Sequence, residues 1–140
     1  MKEGKDMKKS LVLLILLVLC ACSSKKEETI DLKGFWIIDE AKTDINALNA
    51  DMDKYPGFNE WGAHMEIAEK QISFFIGALS YEGEYLQNNN QIITDVKNLN
   101  DENLNEFNFE IIVENNQTVL KMKLNDIDLY WIKEDINKNN

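Results

Sequence analysis

The sequence contains no arginine, a single histidine and a single proline, and both of its cysteines lie within the first 22 residues. Since no cysteine follows Cys22, the rest of the chain forms no disulfide and offers no cysteine nucleophile. His64 has no cysteine or histidine companions at the spacing of a metal site, so no metal or other cofactor is predicted. No Ser-His-Asp order and no glycine-rich phosphate loop can be assembled, and the sequence predicts a protein that is not an enzyme.

Positive charge is also scarce. The 15 lysines are outnumbered by 25 acidic residues, which gives a net charge of −10 at pH 7. A surface this acidic repels phosphate backbones and anionic lipid headgroups, so no nucleic-acid partner is predicted. Abundant asparagine, lysine and isoleucine without arginine indicate AT-rich codons and favour a low-GC Gram-positive source.

One long apolar run stands near the start of the chain. Residues 11–20 are all apolar and follow Lys8 and Lys9, which is the arrangement of a secretory signal. The run is too short to span a hydrocarbon core, which needs about 20 residues. Met7, followed by two lysines and a serine, opens like a typical bacterial signal and is the predicted true start. The chain after this leader is therefore predicted to be exported.

The end of the leader predicts where it is cut. Leu19-Cys20-Ala21-Cys22 resembles the bacterial lipobox, with leucine three positions before the modified cysteine and a small residue just before it. The alternative acceptor, Cys20, has bulky Leu19 beside the scissile bond, where signal peptidases require a small side chain. Cleavage before Cys22 and lipid on Cys22 are therefore predicted, in preference to an ordinary secreted protein. The predicted membrane partner is this acyl anchor, on the extracytoplasmic face of the cell membrane.

These features divide the chain into four parts. Residues 1–21 are the predicted signal peptide, 22–30 a polar lipidated tether, 31–135 the exported domain and 136–140 a flexible tail. The leader carries four lysines and two acids, so the mature chain keeps 11 lysines against 23 acids, a net charge of about −12.

The exported domain alternates apolar and polar residues in short segments, the pattern of antiparallel strands with one wet face. Asparagines at 88–90, 115–116 and 125 favour the left-handed backbone of tight hairpins. The predicted fold class is mainly β, an antiparallel up-and-down meander of about eight strands that closes into a small barrel. The predicted strands are 33–39, 65–68, 72–76, 81–86, 91–96, 107–113, 119–124 and 127–132.

One helix is predicted after the first strand. Thr43-Asp44 is an N-cap signal, and Pro56-Gly57 marks the end of the helix. Between them, Ile45, Leu48, Met52 and Tyr55 follow at spacings of three and four residues. We therefore expect these four side chains to share one face of a single helix.

A resemblance to known proteins enters with Gly34-Phe35-Trp36, which is similar to the Gly-x-Trp opening of lipocalin-like barrels. Over most of residues 31–135 the chain resembles a group of small Gram-positive lipoproteins that has no settled activity. The resemblance implies a lipocalin-like barrel and carries over no functional residue. The remaining motifs that carry it are Asp39, Lys42-Thr43, Phe75-Ile76-Gly77, Gly83-Glu84-Tyr85 and Tyr130-Trp131-x-Lys133.

The chain also departs from true lipocalins. They pack an arginine from a late strand on the tryptophan, whereas this chain has no arginine and only Lys133 as a nearby substitute. Their main helix follows the barrel, whereas the helix predicted here follows the first strand. The resemblance is therefore one of architecture.

Aromatic side chains from several strands are the candidate ligand-binding residues. In a barrel some of them must face inward, where they form either a packed core or a pocket for a small hydrophobic or amphipathic ligand. Gly77, Gly83 and the loop 55–61 are expected near the mouth of such a pocket. The candidates are Trp36, Phe74, Tyr81, Tyr85, Tyr130 and Trp131.

Other polar residues suit ordinary structural roles better. Glu82 and Glu84 share a strand face and would serve acid–base chemistry only if one were desolvated, so a solvated face is the preferred interpretation. His64 is expected to be structural or exposed. Asp44, Asp51 and Asp53 lack the glycine and spacing of a calcium loop and are expected on the wet side of the helix.

Two functions of different classes remain open. In the first, the lipoprotein binds or sequesters a small ligand inside the barrel. In the second, it is an interaction, immunity or inhibitor module whose acidic outer face binds a cationic peptide or protein. An interior cavity favours the first, and a filled interior with an exposed aromatic and acidic patch favours the second.

Overall fold

The computed structural model describes residues 29–135, which form a closed antiparallel barrel. Cys22, the leader and the tail after residue 135 lie outside the described residues. The strands are β1 (Gly34–Ile38), β2 (Ala63–Ile67), β3 (Gln71–Ile76), β4 (Leu79–Asn88), β5 (Gln91–Asn98), β6 (Leu104–Glu114), β7 (Gln117–Leu124) and β8 (Ile127–Lys133), with helices α1 (Ile45–Ala50) and α2 (Phe58–Trp61) between β1 and β2. Each strand pairs with the next along the chain and β8 pairs with β1, so the predicted mainly-β, up-and-down eight-stranded barrel is confirmed.

Alternation along each strand decides which residues enter the core. In β5, Ile92, Thr94, Val96 and Asn98 are buried, while the residues between them are exposed. The one hydroxyl in this set is satisfied by the neighbouring strand, because Thr94 Oγ1 donates to the carbonyl of Phe107 at 3.0 Å. The inward polar group therefore costs little, since a buried hydroxyl is unfavourable chiefly when it lacks a partner.

Asparagine makes the tight turns between the later strands. Asn89, Asn115, Asn116 and Asn125 have φ angles of 50°, 50°, 64° and 53°, in the left-handed region. Asparagine tolerates this backbone better than other residues with a side chain, because its short amide bonds to nearby backbone groups. The predicted hairpin positions are thus confirmed at β4–β5, β6–β7 and β7–β8.

The seam between the first and last strands is short. Trp36 lies opposite Lys133 and Ile38 opposite Trp131, and these residues bound the seam. Trp36 is 1% exposed, and its indole Nε1 donates to the carbonyl of Leu32 at 2.9 Å. Trp36 thereby ties the segment before β1 to the barrel that β1 and β8 close.

The helical segment differs from the single helix predicted from the sequence. The Asp44 side chain caps α1 by accepting from the Ala47 amide at 3.0 Å, as expected, but the helix ends at Ala50. Asp51 then turns its carboxylate onto the Lys54 amide, and such local bonds compete with helix continuation. Met52, expected on the buried face, is 51% exposed. Within the described residues, no helix is long and apolar enough to cross a membrane.

Two glycines expected near a pocket mouth instead permit close packing of the backbone. At Gly83, an added Cβ would lie 2.1 Å from the Asp95 carbonyl oxygen of the neighbouring strand. At Gly77, where φ is +59°, it would lie 2.3 Å from the Pro56 carbonyl oxygen. Glycine is needed at both places so that the backbones can approach.

Candidate functional site

A buried aromatic cluster fills the middle of the barrel. Phe74 stands at its centre and is 2% exposed. Rings of this cluster meet at distances typical of stacked and edge-to-face pairs. From Phe74, the ring centroids lie 4.9 Å away at Tyr81, 5.4 Å at Phe107, 5.9 Å at Phe109 and 6.4 Å at Trp131. A barrel with such a cluster is compatible with ligand binding. However, the rings already pack against one another, so their faces are covered by neighbouring rings.

The six aromatic candidates do not converge on one pocket. Trp36, Phe74, Tyr81 and Trp131 are buried inside the barrel. Tyr85 is half-buried at the end of the barrel that holds the β2–β3 turn, where its hydroxyl donates to the Ala68 carbonyl at 2.9 Å. Tyr130 lies on the outer face, with its ring centroid 5.6 Å from the Lys121 ammonium nitrogen.

The two buried tryptophans differ in how their indole N–H groups are satisfied. Trp36 Nε1 has its acceptor at the Leu32 carbonyl. Trp131 Nε1 is buried with no protein acceptor, which makes it an orphaned donor within the described residues. A buried donor without a partner costs roughly 1–3 kcal/mol. An acceptor atom of a ligand beside Trp131 would remove that cost.

Burial also acts on the tyrosines that belong to the interior. Desolvation raises the pKa of Tyr81, and the negative charge of Asp101 raises it further. The pKa of Tyr85 is raised in the same way, first by burial and then by Asp31 and Glu69. The folded protein therefore holds these phenolic protons more tightly than the unfolded chain does. The contribution of these two tyrosines to the free energy of unfolding is therefore fully present below about pH 10. It falls as the pH rises past that value, because the tyrosines of the unfolded chain ionise first.

Tyr81→Phe is therefore expected to reduce the loss of stability in alkali. The substitution removes one group that can ionise in the unfolded chain while it resists ionisation in the folded one. Urea unfolding at pH 8 and at about pH 11 measures the free energy of unfolding at each pH. An equal loss of stability in the variant and the parent would contradict the role of Tyr81.

An apolar groove lies on the outside of the barrel, across the faces of β1 to β4. Its volume is about 420 Å³, the alternating strand pattern turns most of its side chains toward solvent, and the buried residues Met65, Phe74 and Tyr81 also line it. Phe35, Phe75 and Leu99 supply exposed apolar surface, being 46%, 37% and 54% exposed. We call it the outer groove and define it by Phe35, His64, Glu66, Phe75, Glu82 and Leu99.

Within the outer groove, the one histidine belongs to the apolar surface. The His64 ring centroid lies 5.0 Å from that of Phe75, in a tilted arrangement. Glu66 and Glu82 are both exposed and lie two strands apart, on either side of Ser73 of the intervening strand. The outer groove thus combines an aromatic surface with two carboxylates.

Beside the outer groove, three carboxylates face one another across neighbouring strands. Glu84 of β4 lies opposite Asp95 of β5, which lies opposite Glu106 of β6. We call these three residues the acidic row. They line a second depression of about 420 Å³ together with Leu86 and Ile93, which are 74% and 39% exposed. Like charges directly opposite each other destabilise a sheet.

The structure also places the other polar candidates. Glu82 and Glu84 are both exposed on the outer face of β4, as expected for a solvated strand face. Asp44 caps α1 and Asp51 binds the Lys54 amide, while Asp53 is exposed. Among residues 29–135, no group of three or more His, Cys, Asp or Glu side chains is arranged to hold a metal ion.

Sequence reasoning placed the candidate site inside the barrel and missed the outer groove. The alternation of side chains along a strand could have revealed it, because successive side chains of a strand point to opposite faces of the sheet. Phe74 and Phe75 are adjacent, so only one of them can face the core, and the same holds for Tyr130 and Trp131. Phe75 and Tyr130 are the members that face outward.

No protein-family model, curated protein or solved structure matches the chain.

Proposed function

We propose that this protein is an extracytoplasmic lipoprotein, anchored by lipid on Cys22, that binds a partner through the outer groove of its barrel. The observation that carries the binding role is the cluster of exposed apolar side chains at Phe35, Phe75 and Leu99. Exposed apolar surface gathered in one depression marks an interaction site more often than scattered residues do. The outer groove is open to solvent, so a partner reaches it without displacing the core.

The anchoring part of the proposal is supported by the leader and by the charge of the chain. The lipobox-like sequence ends at Cys22, and the residues after it carry a net charge of about −12. Such a surface is repelled by anionic headgroups, so attachment to the membrane depends on the acyl chains. This arrangement leaves the barrel face free to bind a partner.

A second candidate function is the binding of a small ligand inside the barrel, which the orphaned Trp131 Nε1 favours. A ligand with a hydrogen-bond acceptor would satisfy that donor. However, the ligand would have to part rings that now lie in contact around Phe74. We rank this candidate second because separating packed rings costs contacts that the open outer groove does not require.

Phe75→Ser tests the outer groove. Nile red, an uncharged apolar dye, is titrated against the domain without its lipid, and amide chemical shifts locate the bound dye. Loss of the Phe75 contact is expected to weaken binding about tenfold or more, since burying a phenylalanine contributes about 1.5–3 kcal/mol. Amides of β2 to β4 should shift most.

Val113→Ser is the matched control, because Val113 is 60% exposed on β6 and lies outside the outer groove. It should bind the dye as the parent does. Shifts concentrated at Phe109 and Trp131 of the interior cluster, with Phe75→Ser binding normally, would contradict the outer groove and favour the interior candidate.

A further inference from the structure

The outer face of β2 to β6 carries uncompensated negative charge. Glu66 and Glu82 line the outer groove, and the acidic row lies beside it. None of these five carboxylates forms an ion pair within the described residues. Lys97 lies opposite Glu82 on β5, but its ammonium pairs with Glu102 at 3.5 Å. The face therefore sets these five carboxylates against one lysine, Lys97, that is already paired with Glu102, and it keeps a net negative charge.

Two further lysines are paired with acids outside these five. Lys121 of β7 pairs with Asp128 at 3.2 Å, and Lys42, in the turn after β1, pairs with Glu114. The acidic row also holds like charges on directly opposing residues, an arrangement that weakens a sheet. A partner that brought cations to this row would relieve the repulsion on binding.

Apolar side chains border the acidic row on one side. Leu86 and Ile93 lie on the same outer faces of β4 and β5, two residues along from Glu84 and Asp95. On the other side the next residues of the same face are Glu82 and Lys97, and Phe75 and Leu99 of the outer groove lie beyond them. An isolated cation would make no favourable contacts with this apolar surface, and an anionic lipid would be repelled by the carboxylates.

The spacing of the acidic row suits a helix. Neighbouring strands are about 4.8 Å apart, so the row spans about 10 Å across β4 to β6. Along an α-helix, residues i, i+3 or i+4, and i+7 lie at about 0, 4.5–6 and 10.5 Å along the axis. A helix lying across the strands thus presents a basic side chain to each carboxylate while an adjacent apolar stripe meets Leu86 and Ile93.

We propose that the occupant of this face is a cationic amphipathic helix of a partner peptide or protein, with basic residues over the acidic row and apolar residues against Leu86 and Ile93. This inference rests on the proposed binding role of the outer face and adds the chemical class of the partner. The apolar contacts supply burial, while the charges supply selectivity and faster association.

Three synthetic helical peptides of the same length test the charge requirement. They share one leucine stripe and carry lysine, glutamine or glutamate on the adjacent stripe. Fluorescence anisotropy with the lipid-free domain should show binding of the lysine peptide at least tenfold tighter than that of the glutamine peptide. Added salt should weaken the lysine peptide most, because exposed charges are screened. Equal affinity for the lysine and glutamine peptides would overturn the inference.

The triple variant Glu84→Gln, Asp95→Asn, Glu106→Gln locates the effect. It should lose about tenfold or more in affinity for the lysine peptide while its melting temperature rises, because opposed like charges are removed. Glu40→Gln, Asp53→Asn, Asp126→Asn changes the net charge equally at exposed positions around the helical segment and should bind as the parent does. An equal loss in both triple variants would show attraction to overall charge and overturn the assignment to the acidic row.

The same peptides separate the two levels of the proposal. If Phe75→Ser weakens every peptide while the acidic-row variant weakens none, the outer face binds partners but the cationic assignment is wrong. If neither Phe75→Ser nor the acidic-row variant changes the binding of any peptide, both the binding role of the outer face and the cationic assignment are wrong.

Discussion

Trp36→Ala is expected to unfold the barrel domain, or nearly so, even though Trp36 does not line the outer groove. Trp36 is 1% exposed, lies on the short seam with β8 and bonds back to Leu32. Truncating a buried tryptophan costs about 3–5 kcal/mol, and a domain of this size has only about 5–15 kcal/mol in total. Thermal melts followed by circular dichroism measure the effect.

Trp61→Ala is the matched control because it removes the same side chain from the surface. Trp61 is 55% exposed on α2, and surface substitutions usually change stability by about 0.5 kcal/mol or less. The Trp61 variant should therefore melt close to the parent. If Trp61→Ala lowered the melting temperature strongly and Trp36→Ala melted like the parent, the stabilising role assigned to Trp36 and to the β1–β8 seam would be wrong.

Cys22→Ala is expected to abolish lipid labelling and to leave the protein uncut or released into the medium. Each buried CH₂ contributes about 0.8 kcal/mol, so two or more acyl chains anchor a protein stably where a single chain is marginal. Removing the acceptor removes all of that attachment at once, and the acidic barrel offers no electrostatic substitute. Labelling with a fatty-acid analogue, followed by separation of membrane and medium, measures both effects.

Cys20→Ala separates the two cysteines of the leader. It should keep both the lipid label and the membrane location, because Cys20 lies two residues before the predicted acceptor. Retained lipid label in the Cys22 variant, or its loss in the Cys20 variant, would show that the cleavage site was misassigned.

The strands were the most predictable part of this fold. Their alternation turns every second side chain, most of them apolar, inward, and left-handed asparagines mark the β4–β5, β6–β7 and β7–β8 turns. Both signals are local, so they can be recognised in the sequence without knowing the tertiary contacts. The helix was less predictable, since the apolar spacing through Met52 suggested one long helix while the Asp51 carboxylate captured the backbone instead.

The candidate site was predicted only in part. The tendency of aromatic residues toward the interior correctly places Trp36, Phe74, Tyr81 and Trp131 in the barrel. Tyr130 lies on the outside because its neighbour Trp131 takes the inward position, and a strand cannot turn adjacent residues to the same face. Strand phase, applied more strictly, would have separated such pairs.

The sequence by itself determined the chemistry available to this protein: its acidity, the absence of arginine and the alternating strands, and it predicts a leader that ends before Cys22. Only the tertiary structure decided which side chains meet. Glu84, Asp95 and Glu106 are 11 residues apart in turn along the chain, and no local pattern joins them. They form one row because strand register sets them opposite one another, and register is fixed by the packing of the opposite, buried face.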